Sequence, residues 1–93
     1  MLPLSPYPWE ILGKRALFKH NYELGEYAFR EAVKRTPHRA SYHSMLAQCL
    51  LFQGKLEEAN ESIDKALLWY PFKDELVRIK EYIQTQRTEY NRI

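Results

Sequence analysis

Residues 9–37 read WEILGKRALFKHNYELGEYAFREAVKRTP, and residues 43–71 read HSMLAQCLLFQGKLEEANESIDKALLWYP, the same frame 34 positions on. Trp9, Leu12, Gly13, Gly25, Phe29, Ala32 and Pro37 fall on His43, Leu46, Ala47, Ala59, Ile63, Ala66 and Pro71. Leu12/Leu46, Ala32/Ala66 and Pro37/Pro71 are identities. Gly13/Ala47 and Gly25/Ala59 stay small, and Phe29/Ile63 stays apolar. No gap breaks the register. A fixed period of this length marks a stacked repeat of helical hairpins.

Outside that stretch, composition sets the bounds. Ninety-three residues make one small domain, near the size at which a single core is marginal. An apolar content of 45% allows a packed core, and a net charge of +2 gives no reason to expect a polyanion partner. One cysteine, Cys49, excludes an internal disulfide and fits a reducing, cytoplasmic compartment. It stands in an apolar run, which predicts a buried thiol rather than a nucleophile. The opening MLPLSPYP lacks the basic start and apolar core of a signal peptide, and Pro3, Pro6 and Pro8 favour an extended lead-in. No apolar run approaches the ~20 residues that span a bilayer, so no membrane insertion is expected.

The periodicity predicts helices over about 8–20, 22–36, 39–53 and 56–70. Pro8 suits a first helical turn. The first helix carries Trp9, Leu12, Ala16 and the His20 region on one face and Ile11, Leu17 and Phe18 on another, so neighbours on both sides are expected. Asn21 caps the second helix, whose stripe is Tyr22, Gly25, Phe29, Ala32 and Val33. Pro37 and Pro71 stop helices two and four. Gly54, in Gln53-Gly54-Lys55, supplies the left-handed residue that ends the third. A glycine inside a helix costs ~1 kcal/mol relative to alanine. Gly13 and Gly25 are therefore expected to let the first two helices approach closely, with Trp9 and Phe29 filling the ends of the seam and Ala47 against Ala59 repeating the device.

These residues resemble the tetratricopeptide repeat pattern W-x2-L-G-x2-Y, A-x3-F, A and P. Here it reads Trp9, Leu12, Gly13, Ala16, then Gly25 and Phe29, then Ala32 and Pro37. Ala16 replaces the aromatic, and His43 replaces the tryptophan in the second copy. The resemblance covers residues 6–73 and implies an all-α, helical-hairpin solenoid of two 34-residue repeats plus a C-terminal capping helix. Its divisions are an extended lead-in at 1–7, repeats at 8–37 and 38–71, and the cap at 72–93. In the cap, Phe72, Leu76, Ile79, Ile83 and Tyr90 are expected to bind the preceding pair. Lys80, Glu81 and Gln84 give the polar outer face a terminal repeat needs, and the tail from Arg87 to Arg92 is expected to fray.

Catalysis finds little support. His20, His38 and His43 are scattered near helix ends, no nucleophile or carboxylate has a spacing that pairs with them, and His38 and His43 are five apart, not a ligand spacing on one helical face. They read as partly exposed polar residues. There is no Gly-rich phosphate loop or dinucleotide fingerprint. The expectation is a non-enzyme with no cofactor and no metal.

The resemblance implies that the first helix of each pair lines a concave groove. The ligand-facing positions are Tyr7, Glu10, Ile11, Lys14, Leu17 and Phe18; then Ser41, Ser44, Met45, Gln48, Leu51 and Phe52; then Glu75, Ile79 and Tyr82 from the cap. Partner contact is expected chiefly at Ile11, Lys14, Leu17, Phe18, Met45, Gln48, Leu51, Phe52, Ile79 and Tyr82. About half of the set is large and apolar, which asks for something to cover it. The competing reading is that a short, curved array buries these residues itself, Phe18 and Phe52 being most open to that objection. Some family members grip a chaperone's C-terminal carboxylate with basic residues and asparagines; here those positions hold Glu10, Lys14, Met45, Glu75 and Ile79, so no such clamp is expected.

Three readings follow. The first is a chaperone or adaptor holding an amphipathic helix of a protein client. It is similar to the small tetratricopeptide chaperones of type III secretion, which cradle a needle subunit beside a second small helical protein and are short free-standing chains. The second is self-association, with the groove filled by another copy (a homodimer) or by the arm carrying Leu2, Leu4 and Tyr7. The third, RNA binding as in a related repeat class, fits neither the period nor the charge, and no nucleic-acid partner is expected.

Overall fold

The computed structural model describes residues 5–91, the last two by backbone alone. It is all-helical: α1 Tyr7–Phe18, α2 Tyr22–Arg35, α3 Ala40–Phe52, α4 Leu56–Trp69 and α5 Asp74–Asn91, with no strand among the described residues. Leu2 and Leu4 of the arm, the side chain of Tyr90 and the Arg92 end of the tail lie outside what is described.

The helix ends have identifiable causes. α1 starts one residue earlier than expected, because Pro8 sits within its first turn and needs no amide partner there. It also stops short of His20. The amide of His20 bonds the Leu17 carbonyl at 3.0 Å and that of Asn21 bonds the Ala16 carbonyl at 2.8 Å, with His20 left-handed at φ 61°. Thirty-four residues on, Gly54 bonds Leu51 at 3.0 Å, Lys55 bonds Leu50 at 2.9 Å, and Gly54 has φ 78°. α2 and α4 are both 14 residues long and begin 34 apart. Asn21 caps α2 as expected, its Oδ1 accepting from the Leu24 amide at 3.3 Å. Lys55 gives α4 no side-chain cap.

Packing runs along the chain, α1 on α2, α2 on α3, α3 on α4 and α4 on α5, and α3 also packs on α5. α3 is the centre. It carries no Asp, Glu, Lys or Arg, and buries Tyr42, His43, Ser44, Leu46, Ala47, Cys49 and Leu50 among others. Around it Phe29 and Ala32 of α2, Ile63 and Ala66 of α4, and Leu76 and Ile83 of α5 are wholly buried. A fully buried side chain of this kind contributes roughly 1.5–3 kcal/mol, and an 11.2 kDa chain has few to spare.

The two helical glycines do not face each other across one seam, as the sequence suggested. A Cβ on Gly13 would lie 2.6 Å from Cζ of Phe29, and one on Gly25 would lie 2.7 Å from Sγ of Cys49 on α3. Gly13 thus makes room for a ring on α2, and Gly25 makes room for the next hairpin. Phe29 fills the middle of the α1–α2 seam rather than its end. Trp9 is half-buried, edge-on to Tyr27 at 5.6 Å and beneath the Arg35 guanidinium at 5.0 Å.

The capping helix differs from expectation at two points. Leu76 and Ile83 are wholly buried and Ile79 packs on the core, but Phe72 is 93% exposed in the turn before α5, where no element reaches it. Lys80 does not face outward; its ammonium bonds Asn60 at 2.7 Å and Asp64 at 2.8 Å on α4. Arg87, at the start of the tail, has its guanidinium bonded twice to Glu57 on α4, at 3.1 and 2.7 Å.

Candidate protein-binding face

α3 has one accessible stripe: Ser41, Met45, Gln48 and Phe52, spaced i, i+4, i+7, i+11 along one helical face. The same spacing on α1 gives Tyr7, Ile11, Lys14 and Phe18, and on α5 gives Glu75, Ile79, Tyr82 and Gln86. Across the three helices these positions are 34 apart and form rows, of which Ile11–Met45–Ile79 is wholly apolar. α5 packs directly on α3. α1 is joined to α3 by Glu10, which accepts from the Tyr42 hydroxyl at 2.5 Å and lies 3.6 Å from the Arg39 guanidinium.

The expected contact residues divide into two kinds. Ile11 is 55% exposed, Phe18 85% and Phe52 64%, and Tyr82 is about half exposed. Leu17, Met45, Leu51 and Ile79 are half-buried against the core and offer only their outer edges. Phe52 also leans on Tyr22, the rings stacked at 4.6 Å. Lys14 is exposed and bonds Glu10 at 2.8 Å. Gln48 donates to Ser44 at 3.3 Å, and Ser44 itself is buried and unavailable to a partner. Glu10 is likewise committed, with bonds from Lys14 and then Tyr42 holding its carboxyl below the usual range. Burial, then the Glu10 carboxylate beside it, pushes the Tyr42 phenol up to about 12. A neutral Tyr42 therefore ties α1 to α3 at every physiological pH.

Burial, then Glu26, raises the Cys49 thiol to about 11, so it stays protonated inside the core. His43 corrects the expectation of a partly exposed residue: it is buried, with Nε2 2.7 Å from the Pro37 carbonyl oxygen. His38 packs edge-on to Trp69 at 4.3 Å, and His20 Nδ1 lies 2.7 Å from the Tyr22 hydroxyl. Among the described residues no three His, Cys, Asp or Glu side chains cluster as metal ligands would, and no helix is long and apolar enough to cross a membrane.

A second apolar surface was not anticipated. At the α4–α5 corner Leu68 is 82% exposed and Phe72 93%, and Trp69 and Tyr70 are partly exposed. Its signal lies in the repeat register, where Lys34, Arg35, Thr36 and His38 become Leu68, Trp69, Tyr70 and Phe72. No protein-family model matches the chain, and no curated protein gives a significant match.

Proposed function

We propose that the chain is a non-catalytic, cytoplasmic protein-binding module of tetratricopeptide type, a two-repeat solenoid with a cap, whose α1–α3–α5 face holds an amphipathic helix of a client protein. One observation carries the reading. Exposed Ile11, Phe18, Phe52 and Tyr82 all lie on the stripe shared by α1, α3 and α5, Phe18 and Phe52 at the same register position, around a central helix face that bears no charge. Such a surface lacks a cover within the described residues, and an apolar helix supplies anchors at the same three- and four-residue spacing. The paired left-handed corners, and α2 and α4 in the same register, support the repeat assignment. The narrower form is a chaperone of the type III secretion needle-subunit kind, in a hetero-oligomer with small helical proteins.

The test is capture of partners by the tagged chain in its native cell, beside the double variant Phe18→Glu, Phe52→Glu. The expected result is one or two small proteins at equal stoichiometry, absent with the variant, while the variant's helical circular dichroism is unchanged. Equal recovery by both forms sinks the reading. Exposed Leu68 and Phe72, outside the α1–α3–α5 positions, favour a second reading, a self-associating scaffold. Light scattering decides it: a mass that doubles with concentration, and reverts in Leu68→Glu, supports self-association.

A further inference from the structure

The charges bordering the face are unevenly distributed, and this says what kind of helix fits. The segment from Tyr7 to Lys19 carries Lys14, Arg15 and Lys19, all exposed, against the single carboxylate Glu10. Glu10 is already occupied by the Tyr42 hydroxyl, the Lys14 ammonium and the Arg39 guanidinium. Arg15 and Lys19 have no carboxylate partner among the described residues. Arg15 lies four residues from Ile11 and three from Phe18, so it borders both anchors on the helix surface. Arg39, at the start of α3, lies instead at the Tyr7 end of α1, its guanidinium over the rings of Tyr7 and Tyr42 at 5.9 and 5.0 Å. α3 contributes no charge. On α5 the cations are spent on carboxylates, Arg78 on Asp74 at 2.9 Å, Lys80 on Asp64 and Arg87 on Glu57, while Glu75 and Glu81 stand exposed without cations.

The most exposed apolar anchors, Ile11, Phe18 and Phe52, lie on α1 and α3, away from the α5 carboxylates. We infer that the occupant is an amphipathic helix whose polar flank is acidic, seated over α1 and α3 with that flank against Lys14, Arg15 and Lys19. A basic-flanked helix with the same apolar stripe meets like charge at this border, and opposed fields select between the two. The inference rests on the binding reading above and adds the sign of the partner's charge.

Two labelled synthetic helices decide it, with one apolar stripe and flanks made of either Glu or Lys, titrated into the full chain by fluorescence anisotropy. At an ionic strength of about 0.01 M, where screening reaches ~30 Å, the acidic peptide is expected to bind at least about tenfold more tightly. The gap should close as salt is raised, and Arg15→Glu with Lys19→Glu should reverse the order without loss of helicity. Equal binding of the two peptides, or tighter binding of the Lys peptide, overturns this inference and leaves the apolar face standing. Binding of neither peptide overturns both.

Discussion

The two hairpins α1–α2 and α3–α4 carry different residues at positions 34 apart. In the first, Gly13 lies beneath the Phe29 ring; at the corresponding places in the second stand Ala47 and Ile63, both wholly buried. A larger side chain on one helix is matched by the loss of a methyl on the other. The corners show the same substitution logic. His20 occupies the left-handed position in the first and Gly54 in the second, and only the second residue adopts it without a steric cost. The relation in the first hairpin is between Gly13 and Phe29, and the second carries Ala47 and Ile63 at the corresponding sequence positions.

The largest effect should come from breaking that relation. Gly13→Leu is expected to unfold the chain, and Gly13→Ala to cost about 1–3 kcal/mol by overpacking against Phe29. Adding Phe29→Ile, which transplants the second hairpin's pair, should recover most of the loss in chemical denaturation. No recovery would mean that the two seams are not equivalent. Gly25→Ala should cost less, ~1 kcal/mol, because the obstructing atom is the end of the Cys49 side chain, and Cys49→Ala should restore part of it.

Smaller changes follow at the corners. Gly54→His should destabilise by ~1 kcal/mol, since the only obstacle there is φ 78° and no atom lies within 4 Å of a Cβ. His20→Gly should gain a few tenths of a kcal/mol, the relief being offset by chain entropy and by the lost contact with Tyr22. Equal melting temperatures for both swaps would contradict the correspondence.

The hairpins also differ in what ties each to the next element. Glu26 accepts from Gln53 at 2.9 Å and Lys55 at 3.0 Å of the following corner and from Arg30 of its own helix at 2.9 Å. Its counterpart Asn60 accepts instead from Lys80 on α5. Burial alone would raise the Glu26 pKa, but the three hydrogen bonds outweigh it and the net shift is below the ordinary 4.5. A lowered carboxylate pKa stabilises the fold above the unfolded value and ceases to do so as pH falls through the folded one. Stability should therefore decline below about pH 4.5, less steeply in Glu26→Gln, whereas the Asn60 link should show no such dependence.

Much of this frame could be read from residue order. Pro37, Pro71, Gly54 and Asn21 are local signals whose effect depends on their own backbone, and the helix ends they imply fall within two residues of those observed. The failures concern relations between distant groups. Nothing near Phe72 says that no element will reach it, and nothing near Lys80 says that Asp64 will. His43 stands 34 residues after half-buried Trp9 yet is buried, with its ring against the Pro37 carbonyl, a difference that its neighbours in sequence do not announce. His20 carried no glycine to announce a left-handed turn; only its register with Gly54 did. For the candidate face, the family resemblance supplied the positions, but the division into exposed anchors and half-buried edges depends on how closely α1, α3 and α5 pack.

The central claim is that α1, α3 and α5 form the surface a partner covers. The most direct measurement is a methyl-resolved NMR titration of the chain with the protein it captures. Shifts at Ile11, Met45 and Ile79, with Leu68 unmoved, are the predicted result. Shifts confined to Leu68 would place the partner on the α4–α5 corner and contradict the account.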